Sequence, residues 1–115
     1  MTVLLYGIPN CDTVKKARTW LESNGVAYTF HDFKKQGVDE TLLRAWLKHV
    51  PLATLLNRKG TTCRALSDAD KAKSESEAGA IALMQTSPSL IKRPVLDRNG
   101  KVSVGFSADT YASLF

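Results

Sequence analysis

The first part of the chain constrains the fold most, because a strand, a helix and a second strand fit into about 30 residues. The apolar run Val3–Tyr6 is typical of a buried strand. Thr13–Asn24 has the apolar spacing of a helix, and Gly25 is placed to end it. Val26–Phe30 has the composition of a second strand. This β-α-β start predicts an α/β fold.

The middle of the chain predicts several helices. Asp39 is placed to cap a helix in which leucine and tryptophan recur at helical spacing. Ser67–Lys73 and Ser76–Thr86 have the pattern of two further helices. Between these segments we expect a short turn at Leu52–Leu56 and an irregular loop at Asn57–Arg64.

The C-terminal part predicts a hairpin followed by a helix. Val95–Leu96 and Lys101–Val104 are candidate strands, joined by a turn at Asp97–Gly100. Ser107 is placed to cap the last helix. The order β-α-β, helices, β-β-α is that of a thioredoxin-like α/β fold. We expect one domain at residues 1–115, with a helical insertion at about 38–88 between the two halves.

Composition narrows the class of protein. The chain has 115 residues, of which 43% are hydrophobic, enough for the core of one domain. No apolar stretch approaches the about 20 residues of a membrane helix, and we see no signal-peptide pattern. Two cysteines, Cys11 and Cys63, do not make a disulfide framework, and no Cys/His cluster suggests a metal. We expect a cytoplasmic monomer with no membrane partner and no metal.

The net charge of +5 raises the question of an anionic partner. The basic residues are scattered as short pairs, at 15–16, 34–35, 58–59 and 92–93. There is no basic tail and no nucleic-acid motif, so we expect no nucleic-acid partner. A solvated basic surface explains most of this charge, and the alternative for some residues is a local site for a small anion.

Cys11 is the strongest candidate for chemistry. It lies where a turn after the first strand leads into a helix, so unpaired backbone N–H groups and the helix dipole favour its thiolate. Lys15, one turn later, either supports the thiolate or belongs to a solvated face. Asn10 either orients the turn or helps to cap the helix, and Asp12 either raises the thiol pKa or caps the helix. The pattern indicates thiol-transfer or redox chemistry.

A second thiol must complete such a reaction. Val14 is the third residue after Cys11, so there is no Cys-x-x-Cys pair. Cys63 is either an internal resolving thiol or an incidental packed cysteine.

Three segments resemble the glutaredoxin-coupled arsenate reductase and Spx-type family, and especially its small YffB-like members. They are the cysteine turn 6–11 with the helix after it, the middle stretch 55–58, and 91–96 with the hairpin and helix that follow. The resemblance implies that Cys11 is the nucleophile and that Arg58 and Arg93 bind an anion, with Arg64 in reserve if the register slips. It also implies a cis Arg93-Pro94 bond that places the arginine beside the cysteine turn.

The resemblance further implies a reaction. Glutathione would be the co-substrate, no cofactor would be bound, glutaredoxin would be a further partner, and the substrate would be a small anion. The family's third arginine has no counterpart in Gly105-Phe106-Ser107, and Gly7 stands near the place of its histidine, which argues against arsenate. The expected function is a glutathione-dependent thiol reductase. The alternatives are a true arsenate reductase and a non-enzymatic Spx-type regulator that binds RNA polymerase.

Overall fold

The fold is that of a computed structural model, which describes residues 2–57 and 60–115. The chain divides into two compact units. The first runs up to Phe33 and resumes at Arg93–Phe115, and the second is Lys34–Lys92. Among the described residues, no helix is both long enough and apolar enough to span a bilayer.

The elements follow one another in nearly the predicted order. They are β1 (Val3–Gly7), α1 (Asp12–Ser23), β2 (Thr29–Asp32), α2 (Phe33–Gln36), α3 (Glu40–Leu47), α4 (Leu52–Leu55), α5 (Thr61–Arg64), α6 (Asp68–Lys73), α7 (Glu77–Thr86), a 3₁₀ turn (Pro88–Leu90), β3 (Val95–Arg98), β4 (Lys101–Val104) and α8 (Ala108–Leu114).

The first unit contains a four-stranded sheet in the order β2-β1-β3-β4. β1 is parallel to β2, with Leu5 opposite Phe30, and antiparallel to β3, with Leu5 opposite Leu96. β3 and β4 form an antiparallel hairpin. A parallel β-α-β half thus joins an antiparallel β-β-α half, which confirms the predicted α/β, thioredoxin-like class. The single domain with an insertion at about 38–88 stays a prediction.

One face of this sheet carries the core of the first unit. Residues two apart on β1 point to the same face, so Val3 and Leu5 pack together against both helices. From the helices come Ala17 and Leu21 of α1 and Tyr111 of α8. Since α1 is anchored to β1 by this packing, the loop between them has both ends fixed.

In the first unit, glycine and asparagine occupy the turn positions that need a positive φ. Gly25 has φ +70°, the left-handed conformation that follows the C-terminus of many helices. Asn99 and Gly100 also have positive φ, as a two-residue hairpin turn requires. Asp97 Oδ1 accepts a 2.8 Å hydrogen bond from Gly100 N–H and holds this turn.

The second unit is helical and its helices begin at the expected caps. The side chain of Asp39 accepts a 2.8 Å hydrogen bond from Leu42 N–H at the start of α3. Ser67 and Ser76 cap α6 and α7 in the same way. The interior of this unit contains apolar side chains that are almost fully buried: Leu43, Trp46, Leu55, Ala80, Ile81, Met84 and Leu90.

Three expectations are corrected. The second strand begins at Thr29, not Val26, because Val26 N–H donates to Leu21 O at 2.9 Å in the turn that ends α1 and is not free to pair in the sheet. The predicted loop contains the helical turn α5, and the predicted turn after Pro51 is the helix α4. Gly60 O accepts the first bond of α5, from Arg64 N–H at 3.1 Å.

Candidate active site

Cys11 lies at the N-cap of α1, as the sequence predicts. β1 ends at Gly7, and Cys11 N–H donates to Ile8 O at 3.2 Å to close the turn. The backbone of Cys11 is still extended, while its carbonyl accepts the helical bond from Lys15 N–H at 2.9 Å. The thiol is therefore beside the unpaired N–H groups of the first helical turn.

Gly7 allows the turn to be this tight. A Cβ built on Gly7 would lie 2.7 Å from Cγ2 of Val14, which is fully buried. Because glycine has no Cβ atom, the end of β1 can approach the first turn of α1 closely. Sequence reasoning did not assign Gly7 this role. The available signal was a glycine at the end of a strand.

Arg93 reaches the same place from the far end of the chain. Val95 pairs with Tyr6, so the residues just before β3 lie beside the end of β1. The Arg93-Pro94 bond is cis, which confirms the expectation, and Pro94 O accepts a 2.8 Å hydrogen bond from Gly105 N–H. Sheet pairing thereby brings the half-buried arginine to Cys11, with which its side chain forms a hydrogen bond.

These neighbours set the ionisation of the thiol. Partial burial raises the pKa of Cys11 and is the largest single effect. It is outweighed by the backbone N–H of Val14, the hydrogen bond and charge of Arg93, and the N–H of Thr13, so the pKa of Cys11 lies below its ordinary value. The Cys11 side chain forms no capping hydrogen bond, and the N–H groups of Val14 and Thr13 together with Arg93 favour the thiolate over the thiol. The site therefore contains a nucleophilic thiolate, that of Cys11, with the Arg93 guanidinium beside it.

The other predicted residues of the first unit are close to this pair in the chain. Lys15 is exposed on α1, one turn beyond Cys11. Asn10 is exposed, and Cys11 rather than Asn10 or Asp12 is the N-cap residue. Pro94, which follows the arginine, is buried.

The remaining candidates do not belong to the first unit. Arg58 lies outside the described residues. Cys63 and Arg64 are on α5 in the second unit, where they line a cleft of about 310 Å³ with Lys71 and Glu75. Cys63 is 8% exposed and Arg64 is exposed. Their roles as reserve residues stay predictions.

Comparison with known proteins identifies a family for this chain. The model of the ArsC family matches residues 6–114. A solved structure named YffB is 54% identical, with a TM-score of 0.92, and the match covers 97% of each chain. An arsenate reductase (ArsC) related protein from Brucella melitensis is 51% identical, with a TM-score of 0.78, over 98% of this chain and 93% of that one.

A more distant relative carries a different kind of name. The global transcriptional regulator Spx of Streptococcus mutans is 26% identical over 110 residues, which cover 93% of this chain and 78% of the regulator. The family match, at residues 6–114, includes both Cys11 and Arg93. This chain belongs to the ArsC family.

Proposed function

We propose that this protein is a glutathione-dependent thiol reductase in which Cys11 is the nucleophile. The observation that carries the proposal is the pairing of Cys11 with Arg93 at the start of α1, where the pKa of the thiol is lowered. The reaction needs a thiolate near neutral pH and a cation beside it, because both glutathione and many of its adducts are anionic.

The reaction has two exchange steps. The Cys11 thiolate attacks the glutathione sulfur of a mixed disulfide, so that a Cys11–glutathione disulfide forms and the substrate leaves as a thiolate, which takes a proton from water. A glutathione thiolate then attacks the glutathione sulfur of that adduct. Oxidised glutathione leaves and the Cys11 thiolate is restored. Across the two steps, the mixed disulfide is reduced to the substrate thiol, one free glutathione thiol is consumed, and the other half of the oxidised glutathione comes from the mixed disulfide itself.

The surrounding residues take supporting roles in this proposal. Arg93 binds a carboxylate of glutathione or another small anion, because its planar guanidinium can bond two oxygens and stays charged. Lys15 adds positive charge, and Asn10 and Pro94 shape the loop, while a role of Arg58 in binding the anion is what the resemblance implies. Glutaredoxin is the proposed partner that reduces the adduct when free glutathione does not, and the compartment that supplies glutathione is the cytoplasm.

Two features favour this chemistry over the alternatives within the family. Phe106 and its neighbours provide no third arginine for an oxyanion, which disfavours arsenate as the substrate. The buried Val14 stands where a second cysteine of a Cys-x-x-Cys switch would be, so a local disulfide cannot form at Cys11. An Spx-type regulatory role would have to work without such a switch.

The test measures two properties of Cys11: the pH dependence of its alkylation and its ability to form an adduct with glutathione. Iodoacetamide alkylation of each cysteine is followed against pH by peptide mass spectrometry, and the reduced protein is then exposed to oxidised glutathione. We expect Cys11 to titrate below an ordinary thiol and to form an adduct that glutathione removes, with Cys63→Ser as the matched control that keeps both properties. A Cys11 that titrates at about 8.5 or above, or that forms no adduct, would contradict the proposal.

A further inference from the structure

A cleft of about 410 Å³ opens along the exposed side of α1. Lys15, Lys16 and Trp20 of α1 line it on one side, and Phe106, which follows β4, lines it on the other. Thr19, Ser23 and Asn24 complete the lining. The volume falls in the range of about 300–1,000 Å³ that is typical of sites for small organic ligands, and far exceeds what an oxyanion needs.

The cleft begins one helical turn from the reactive thiol. Lys15, which lines the cleft, donates its backbone N–H to Cys11 O at 2.9 Å. Thr19 and Ser23 follow Lys15 at four-residue spacing within α1 and also line the cleft. A ligand in the cleft that extends past Lys15 toward the start of the helix approaches Cys11.

The aromatic walls of the cleft are held in place. The rings of Trp20 and Phe106 both pack edge-on against buried Tyr111, with centroids 5.6 and 4.7 Å from it. Both walls are only partly buried, so an apolar surface remains available at the cleft. Fixed aromatic walls favour a flat or apolar ligand, because little side-chain entropy is lost on binding.

The cleft also has a charge. Lys15 and Lys16 are exposed, and neither forms an ion pair with another residue that the structure describes. Nearby Arg18 is already engaged, with its Nε donating to Tyr28 Oη at 3.0 Å and its guanidinium lying over Phe30. The lysines thus offer two cations to a negatively charged group at the end of the cleft near Cys11.

We propose that the substrate is an organic disulfide and that this cleft binds the half of it that leaves as a thiolate. That half has an apolar or aromatic body and a carboxylate that Lys15 and Lys16 bind. The inference rests on the proposed function and names its substrate class. Cys11 attacks the disulfide, one S–S bond breaks, a new one forms to Cys11, and the organic thiolate leaves from the cleft. Phe106 supplies a wall at the stretch where the resemblance expected an arginine, so the site suits an organic acid better than an inorganic oxyanion.

The test compares reagents that differ in charge but react with the same sulfur. Reduced protein is mixed with dithiobis(nitrobenzoate), an aromatic disulfide with carboxylates, with dithiodipyridine, its uncharged counterpart, and with iodoacetamide. Rates are measured at one pH by the absorbance of the released thiol or by mass spectrometry, on a Cys63→Ser background. A change in thiol pKa alters all three rates, whereas the cleft affects mainly the anionic disulfide.

Three lysine variants distinguish binding in the cleft from an effect of the protein's net charge. Lys15→Gln and Lys16→Gln should each lower the ratio of the anionic to the uncharged disulfide rate by about two- to fivefold, the range that exposed ion pairs typically give. Lys101→Gln on β4 removes the same charge from an exposed position outside the cleft and should leave the ratio unchanged. Phe106→Leu should slow both aromatic disulfides relative to iodoacetamide.

Failure of the cleft proposal and failure of the proposed function give different results. An unchanged ratio in Lys15→Gln/Lys16→Gln, or an equal fall in Lys101→Gln, overturns the cleft proposal, because the preference would then be absent or would reflect net charge. A Cys11 that reacts slowly with iodoacetamide near neutral pH overturns the proposed function instead. The ratio of the two disulfide rates still reports on the cleft in that case.

Discussion

Gly7→Ala is the substitution that most directly tests how the fold activates Cys11. Gly7 lies within β1 and does not have positive φ, so alanine is allowed by the backbone and its effect is steric. The new methyl would lie 2.7 Å from Val14 Cγ2, about 0.8 Å inside the optimal carbon–carbon distance. Overpacking of this kind costs about 1–3 kcal/mol in the free energy of unfolding.

The same clash should change the thiol. Val14 N–H is one of the groups that lower the pKa of Cys11, and a methyl on Gly7 pushes Val14 and the first turn of α1 away from β1. We therefore expect the pKa of Cys11 in Gly7→Ala to rise toward its ordinary value. The pH profile of iodoacetamide alkylation, resolved for Cys11 by peptide mass spectrometry, measures this shift, and urea unfolding measures the stability.

A second substitution provides the control. The methyl of alanine at position 7 would lie 3.6 Å from Val14 Cβ, an ordinary contact, so Val14→Ala removes the clashing atoms and leaves room. Val14→Ala alone should cost about 2 kcal/mol, because it empties a buried site. Gly7→Ala/Val14→Ala should lose less than the sum of the two single variants and recover the low thiol pKa. Additive losses, or an unaltered alkylation profile in Gly7→Ala, would refute the steric argument.

Further outcomes are expected at other residues. Arg93→Gln should raise the pKa of Cys11 and slow its alkylation near neutral pH, since the arginine's hydrogen bond and charge both lower that pKa; an unshifted pH–rate profile would exclude this role. Because the pKa of Cys11 is lowered in the folded protein, its thiolate stabilises the fold above the ordinary thiol pKa, and this contribution is lost as the pH falls through the lowered value. The difference in unfolding free energy between the natural protein and Cys11→Ser, measured in urea, should therefore grow with pH. Asp39→Ala should cost about 1 kcal/mol in urea unfolding through loss of the α3 cap, and Asp39→Asn should cost less. Tyr111→Phe should keep or raise the melting temperature, because the buried hydroxyl has no hydrogen-bond partner among the described residues and burial raises its pKa.

Local signals in the sequence were sufficient for most of the elements. The apolar spacing of α1 and the caps at Asp39 and Ser107 act within a few residues, so they identify helices without knowledge of the fold. The start of β2 could not be placed in this way. Val26 has a strand-forming side chain, but its N–H is used to end α1, and that competition depends on where the helix stops.

The order of elements also predicted the fold class. A β-α-β unit followed later by a hairpin and a helix leaves few ways to pair the strands, and the predicted class is the one observed. The resemblance supplied the cis bond before Pro94, which spacing alone does not reveal.

The sequence by itself determined that Cys11 stands at the start of a helix, because a strand, a turn and an amphipathic helix are all encoded within a short stretch of chain. Only the tertiary structure decided which groups surround its sulfur. Arg93 arrives through the pairing of β3 with β1, and Gly7 meets Val14 because α1 packs onto the sheet. Both contacts join residues that local patterns treat independently, and the hydrogen bonds and charge that they bring to Cys11 lower the pKa of its thiol.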